Sequence, residues 1–174
     1  MLHLLFPIGK NCRVEETRIR EKHHRLHESA YQNGSAVIIT ACIQDRKPAF
    51  SSISNIEMTL DSLRSATNLE NCRCTLYVFM PDHLHLILRA REESSSPMRC
   101  MKRFKQQSGF RLAKVGFKWQ KDFYDRIVRG EKELVNQVRY IVGNPVRAGL
   151  VEYPLDWPHT GSLEYSIEEL LLDL

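Results

Sequence analysis

The run CTLYVFMPDHLHLILRA, Cys74 to Ala90, leaves a folding chain little choice. Two apolar segments rich in β-formers flank Pro81-Asp82, a pair suited to a tight turn, so the run reads as an antiparallel hairpin. Side chains alternate faces along a strand. Leu84, Leu86 and Leu88 therefore share one face, and His83 and His85 project together from the other. The two imidazoles either fill an open polar face or hold something.

The remaining elements fall in order around this hairpin. SAVIITACI, Ser35 to Ile43, is a β-branched strand. ISNIEMTLDSLRSA carries Ile53, Ile56, Leu60 and Leu63 at helical spacing, after Ser51 and Ser52 as candidate caps. PMRCMKRFKQQSGFRLAKV follows Ser96 as cap, with Pro97 in the first helical position, and is helical at least to Gln107. WQKDFYDRIV supplies a fourth strand. EKELVNQVRYIVG is a helix with Leu134, Val135, Val138, Ile141 and Val142 on one stripe. The order β-α-β-β-α-β plus a further helix predicts an α+β fold: a ferredoxin-like or RRM-like antiparallel sheet with helices on one face. The third strand is then central, its leucines face the helices, and His83 and His85 lie on the open face.

Charge is distributed unevenly. The formal net charge is +4, yet no Lys or Arg follows Arg147, while six acids do: Glu152, Asp156, Glu164, Glu168, Glu169 and Asp173. The other 15 of the 21 acids stand against all 25 basic residues, so residues 1–147 carry +10. From Ser94 to Lys121 there is no acid, but Arg99, Lys102, Arg103, Lys105, Arg111, Lys114, Lys118 and Lys121 are interleaved with Phe104, Phe110, Phe117 and Trp119. This is the footprint of a site for a phosphate backbone with rings for bases, or else a solvated helix face. The first 30 residues read as a basic arm, whose Arg18, Arg20, Lys22 and Arg25 are further candidate contacts, and 164–174 as an acidic tail. No run of eighteen apolar residues suggests a membrane span, and MLHLLFPIGK is a poor signal peptide. Five cysteines at scattered spacing fit a reducing cytoplasm better than a disulfide framework.

Imidazoles at i and i+2 of a strand can converge on one metal ion. Cys72 and Cys74 do not join them in a zinc site. With Met80 opposite His83, Cys74 falls opposite Arg89, about 13 Å from His85 at ~3.3 Å per residue. On the polar face of the last helix stand Glu133, Asn136, Gln137, Tyr140 and Asn144. Tyr140 and Asn144 are helical neighbours, and Pro145 requires the helix to end near Asn144. Tyr140 and Asn144 are then an exposed tyrosine and a C-cap, or a phenol and a carboxamide beside a metal. An activated tyrosine can form covalent intermediates.

HLH after a strand-turn, a basic helix, WQKDFYDRIVRGEKEL, YIVGNPVRAGLV and WPHTGSLEY follow one another in an order that resembles the REP-associated tyrosine transposases, single-tyrosine HUH transposases in which U is hydrophobic. The resemblance runs from HESAYQNGSAVIITACIQDRKPAF to Tyr165, so 31–163 would be the transposase domain. It implies that His83 and His85 bind a divalent cation, with Asn144 completing the site, and that Tyr140 is the nucleophile. It implies Mg2+ or Mn2+ as cofactor; a mixed nitrogen and oxygen donor set suits Mn2+ better. It implies single-stranded DNA with hairpin-forming palindromic repeats as partner, no membrane, a nucleoid-associated cytoplasmic enzyme, and a homodimer or a monomer. The implied reaction is metal-dependent cleavage and rejoining of single-stranded DNA through a 5′-phosphotyrosine link. Tyr124 in FYDRIV is the rival nucleophile, but the residue four positions on is Val128, so Tyr124 reads as a sheet or DNA-surface aromatic. Trp119 and Trp157 read as structural anchors. A non-catalytic or domesticated nucleic-acid-binding protein of the same fold is the alternative; it gives no reason for the histidines together with Tyr140 and Asn144.

Overall fold

A computed structural model describes residues 36–167 and 169; the basic arm and most of the acidic tail lie outside them. Strands β1 (Ala36–Cys42), β2 (Cys72–Met80), β3 (His83–Ala90), β4 (Tyr124–Val128) and β5 (Thr160–Gly161) form one antiparallel sheet, in the order β4-β1-β3-β2-β5. Helices α1 (Ile53–Leu69) and α2 (Pro97–Lys114) pack against each other on one face. Helix α3 (Glu131–Val142) and the short α4 (Asn144–Arg147) follow β4. This is the ferredoxin-like order expected from the sequence, with β3 and β1 central and β5 as an added edge.

Alternation along the strands decides what each face holds. Val37, Ile39, Ala41, Leu84, Leu86 and Leu88 are fully buried beneath α1 and α2, with Phe50, Leu63, Met101 and Phe104. Each such aliphatic side chain contributes about 1.5–3 kcal/mol on burial. On the reverse face Ala36, Ile38, Leu76, Val78, Met80, Ile87 and Val128 meet Val138, Ile141 and Val142 of α3. Leu134 packs against this cluster as well, so four of the five residues of the predicted stripe face the sheet, while Val135 is not part of it. The face expected to be open is thus partly covered, and the histidines lie beside a second, smaller core.

Local signals set the boundaries. The hydroxyl of Ser96 accepts the backbone N–H of Arg99 at 3.3 Å and Pro97 opens α2, as expected. Ser52 is the N-cap residue of α1, without a side-chain capping bond. The fourth strand is shorter than WQKDFYDRIV suggests: Trp119 makes only an isolated bridge to Ile43. Its indole N–H donates to Ser108 Oγ at 3.0 Å and its ring lies against Phe50 and Phe104, which makes it an anchor under α2. Trp157 is another, donating to the Phe79 carbonyl at 2.8 Å. Met80 pairs with His83, as the two-residue turn requires, but a bulge at Thr75 shifts the register so that Cys74 faces Leu88 rather than Arg89. Cys74 consequently points into the α1–α2 core, away from the histidines. Cys42, Cys72, Cys74 and Cys100 form no disulfide.

Candidate active site

The site begins at the Pro81-Asp82 turn, because the turn sets which residues of β3 face α3. His83 and His85 are half-buried there, and their Nε2 atoms stand 3.1 Å apart. Each ring is fixed from behind. His83 Nδ1 lies 2.6 Å from Asp82 Oδ1, and Asp82 is held by Arg46 at 3.0 Å. His85 Nδ1 lies 2.9 Å from the hydroxyl of Thr40, its partner across the β1–β3 ladder.

These contacts constrain the protons. A carboxylate only accepts, so His83 donates from Nδ1 to Asp82 and turns a lone pair on Nε2 towards His85. The Nε2–Nε2 contact then needs a proton from His85, and Thr40 donates to His85 Nδ1. A cation held by the two Nε2 atoms would take the place of that single proton. The Thr40 hydroxyl can accept as well as donate, so His85 can change tautomer without losing its partner. Burial holds the pKa of His83 below the ordinary histidine value against the opposing pull of Asp82. Burial, followed by the charges of His83, Arg147 and Arg46, pushes His85 down to about 3. Both rings are thus neutral at pH 7, the form that ligates metals. Two oriented imidazoles with polar partners behind them fit a metal centre. No third His, Cys, Asp or Glu joins them among the described residues. Cys42, opposite His83 on β1, accepts from Arg46 Nη1 at 3.0 Å, and burial raises its thiol pKa. Among the described residues, a third protein donor to such a centre would be of another type, such as the Asn144 carboxamide.

Tyr140 lies on the solvent side of α3 and is 58% exposed. Helix α3 closes at Val142, Gly143 follows, and Asn144 opens α4 just before Pro145. Arg147 ties these residues together. Its guanidinium carbon sits 4.0 Å from the centroid of the Tyr140 ring. One terminal nitrogen donates to both the Tyr140 carbonyl and Asn144 Oδ1. The charge of the same guanidinium bears on His85. Ile141 and Val142 at the end of α3 lie in one apolar cluster with Ile87 of the histidine strand, so the two elements are neighbours.

Tyr124 stands on β4 in the cross-sheet row Tyr124–Thr40–His85, on the face of the histidines. It is 51% exposed and two strands from His85, roughly 10 Å at the usual strand spacing. The basic residues expected to meet DNA are spread differently. Helix α2 lies on the opposite side of the sheet. Arg99 and Arg103 both pair with Glu70, at 3.1 and 2.6 Å, and these bonds hold the Glu70 carboxyl below its usual range. Lys105 Nζ donates to the carbonyls of Gln120 and Lys121 at 2.7 and 2.9 Å, pinning that loop. Arg111 approaches the Met58 carbonyl at 3.4 Å and Lys114 lies over the Phe110 ring. Lys102 makes no ion pair among the described residues. Lys118 joins the site end of the sheet, where its carbonyl accepts from Gln44.

Asp82, Thr40, Arg46 and Arg147 were not singled out by the sequence reading. Asp82 directly precedes His83 and Arg147 closes the NPVR run, so both sat within quoted motifs. Thr40 and Arg46 reach the site only through β1–β3 pairing, which spacing along the chain does not reveal.

Comparison with known proteins agrees with the resemblance read from the motifs. A Haemophilus influenzae protein that carries the name REP-associated tyrosine transposase is 26% identical over 153 residues, 75% of this chain and 81% of that protein. The REP-associated tyrosine transposase of Escherichia coli K12 is 31% identical over 86 residues, 47% of this chain and 49% of its own length. Among solved structures, a REP-associated tyrosine transposase bound to a REP hairpin superimposes with a TM-score of 0.69 at 22% identity, covering 79% of this chain and 80% of that one. That likeness shows the fold. No family model matches the chain. The chain resembles the REP-associated tyrosine transposases in sequence and shares their fold.

Proposed function

We propose that this relative of the REP-associated tyrosine transposases cleaves and rejoins single-stranded DNA at hairpin-forming sites, through a tyrosine–DNA link at Tyr140. The observation that carries this reading is the pair of half-buried imidazoles with facing Nε2 atoms 3.1 Å apart, on the sheet face against which α3, the helix that bears Tyr140, packs. A divalent cation, Mg2+ or Mn2+, held by His83, His85 and Asn144 would neutralise charge at the scissile phosphate and stabilise the leaving oxygen.

The chain's own residues supply the rest. Asp82 and Thr40 hold the two imidazoles in register, so little reorganisation is needed when the substrate arrives. Tyr140 Oη attacks phosphorus in line. The bond to the 3′ oxygen of the preceding nucleotide breaks, and that oxygen takes a proton to become a free 3′-hydroxyl. The product is a 5′-phosphotyrosine. Attack by a DNA 3′-hydroxyl on this link re-forms a phosphodiester and returns the proton to Tyr140, so no ATP is required. The exposure of Tyr140 suits a nucleophile that must reach an extended strand. Tyr124, level with His85 on the same face, is placed to stack a base beside the cleaved phosphate. Lys118 borders the same end of the sheet, and Lys102, with the outer edge of α2, would hold phosphates more remote from the cut.

The test is a denaturing gel of the protein mixed with labelled single-stranded hairpin oligonucleotides and Mn2+. A metal-dependent protein–DNA adduct, lost in Tyr140→Phe and His85→Ala but kept in Tyr124→Phe, supports the reading. Tight, salt-sensitive binding without an adduct across a broad hairpin set would favour a binding-only protein.

A further inference from the structure

We propose that Arg147 is a latch released by DNA phosphate: in the DNA-free protein its guanidinium occupies the side-chain oxygen of Asn144 and covers the ring of Tyr140, and a phosphodiester that takes the guanidinium frees both. The inference rests on the reading of His83, His85 and Asn144 as metal ligands.

Four observations converge on Arg147. First, it donates to Asn144 Oδ1, the atom that a cation would need, and to the Tyr140 carbonyl. A guanidinium and a metal ion on one amide oxygen repel each other, so the two modes compete. Second, Asn144 Nδ2 is buried without a hydrogen-bond partner among the described residues. An amide held by its oxygen alone is poised to re-seat when Arg147 leaves. Third, among the described residues no carboxylate pairs with Arg147, whose guanidinium lies 4.0 Å over the Tyr140 ring and whose charge reaches His85. An uncompensated arginine fork beside the nucleophile is the group best shaped to receive a phosphate with two parallel hydrogen bonds.

Fourth, the chain leaves a seat for the latch. Gly143 has φ −77, a backbone any residue adopts, so its lack of a side chain is not required by conformation. A Cβ there would stand 2.8 Å from Arg147 Nη1 and 3.2 Å from the Arg139 carbonyl. Glycine at 143 is what allows the guanidinium to lie across the end of α3. The latch makes metal binding and DNA binding mutually reinforcing: phosphate opens the site to the cation, and by linkage the cation favours the phosphate-bound state.

The latch is tested by titrating the protein with Mn2+ alone and following free Mn2+ by EPR. Wild type, Arg147→Ala, Gly143→Ala and His85→Ala are compared, each shown to be folded by circular dichroism. Both Arg147→Ala and Gly143→Ala are expected to bind Mn2+ roughly tenfold more tightly than wild type, because a closed latch lowers the fraction of competent protein. Gly143→Ala retains the positive charge and only dislodges it. A single-stranded hairpin is expected to tighten Mn2+ binding more in wild type than in Gly143→Ala, where only the direct contact between cation and phosphate adds affinity. Tighter binding in Arg147→Ala with Gly143→Ala at the wild-type value would overturn the latch in favour of plain charge repulsion. Wild-type affinity in both variants would overturn it outright while leaving the metal site intact. Loss of any His85-dependent Mn2+ site, with and without DNA, would remove the metal reading itself and the latch with it.

Discussion

The α1–α2 face of the sheet and the α3 face are built from alternate residues of the same strands, yet they hold different things. Beneath α1 and α2, Leu84, Leu86 and Leu88 of β3 meet an unbroken apolar layer. On the α3 side the same strand presents His83, His85 and then Ile87, so the face is apolar at one end and polar at the other. The first face can hold the fold. That frees the second to carry imidazoles whose ring nitrogens are satisfied by only one neighbour each. Helix α3 is short and covers part of its face, and Tyr140 lies on its exposed flank.

This division can be broken most sharply by Tyr140→Phe. Removing one exposed oxygen is expected to reduce adduct formation by roughly 10⁴-fold or more while stability stays within about 0.5 kcal/mol. Adduct yield and a urea midpoint, measured on one preparation, check both halves. Leu86→Ala on the opposite face is expected to do the reverse. It should cost about 2–5 kcal/mol of stability, read from urea unfolding, with the folded fraction still reactive. Asp82→Asn should weaken Mn2+ binding about 10–100-fold by loosening the orientation of His83, with the fold intact, as calorimetric titration would show.

A smaller effect follows from the depressed pKa of the histidines. In metal-free protein the unfolded state binds protons near pH 6.5, whereas folded His85 does so only near 3. Stability is therefore full above about pH 6.5 and declines as pH falls towards 3. Between pH 7.5 and 5 the loss attributable to His85 should be of the order of 1–2 kcal/mol, and His85→Gln should flatten the urea midpoints by that amount. The smallest effect is expected for Lys102→Ala on the α2 side. Loss of one phosphate contact should lower the salt slope of DNA binding by about 1 without moving the cleavage position. A shift in cleavage position would mean that the two faces are not separate.

Much of this contrast was legible in the chain. Alternation in HLHLILRA placed leucines and histidines on opposite faces, and the stripe Val138, Ile141, Val142 identified the buried side of α3. Ser96-Pro97 marked the start of α2. What was not legible depends on pairing between distant strands. The bulge at Thr75 turns Cys74 into the core, and no residue type there announces it. Thr40 and Arg46 meet the histidines only because β1 lies beside β3. Arg99 and Arg103 read as free cations until Glu70, some thirty residues earlier, closes on them. A run of positive charge records composition, whereas its neutralisation is a tertiary fact.

The most direct test of the central claim is to find where the DNA is attached. Wild-type protein is incubated with a cleavable single-stranded hairpin and Mn2+, digested, and its peptides sequenced by mass spectrometry. A 5′-phosphonucleotide on Tyr140, absent when chelator replaces Mn2+, is the expected result. The same modification on Tyr124, or no modified tyrosine in a sample that has cleaved its DNA, would contradict it.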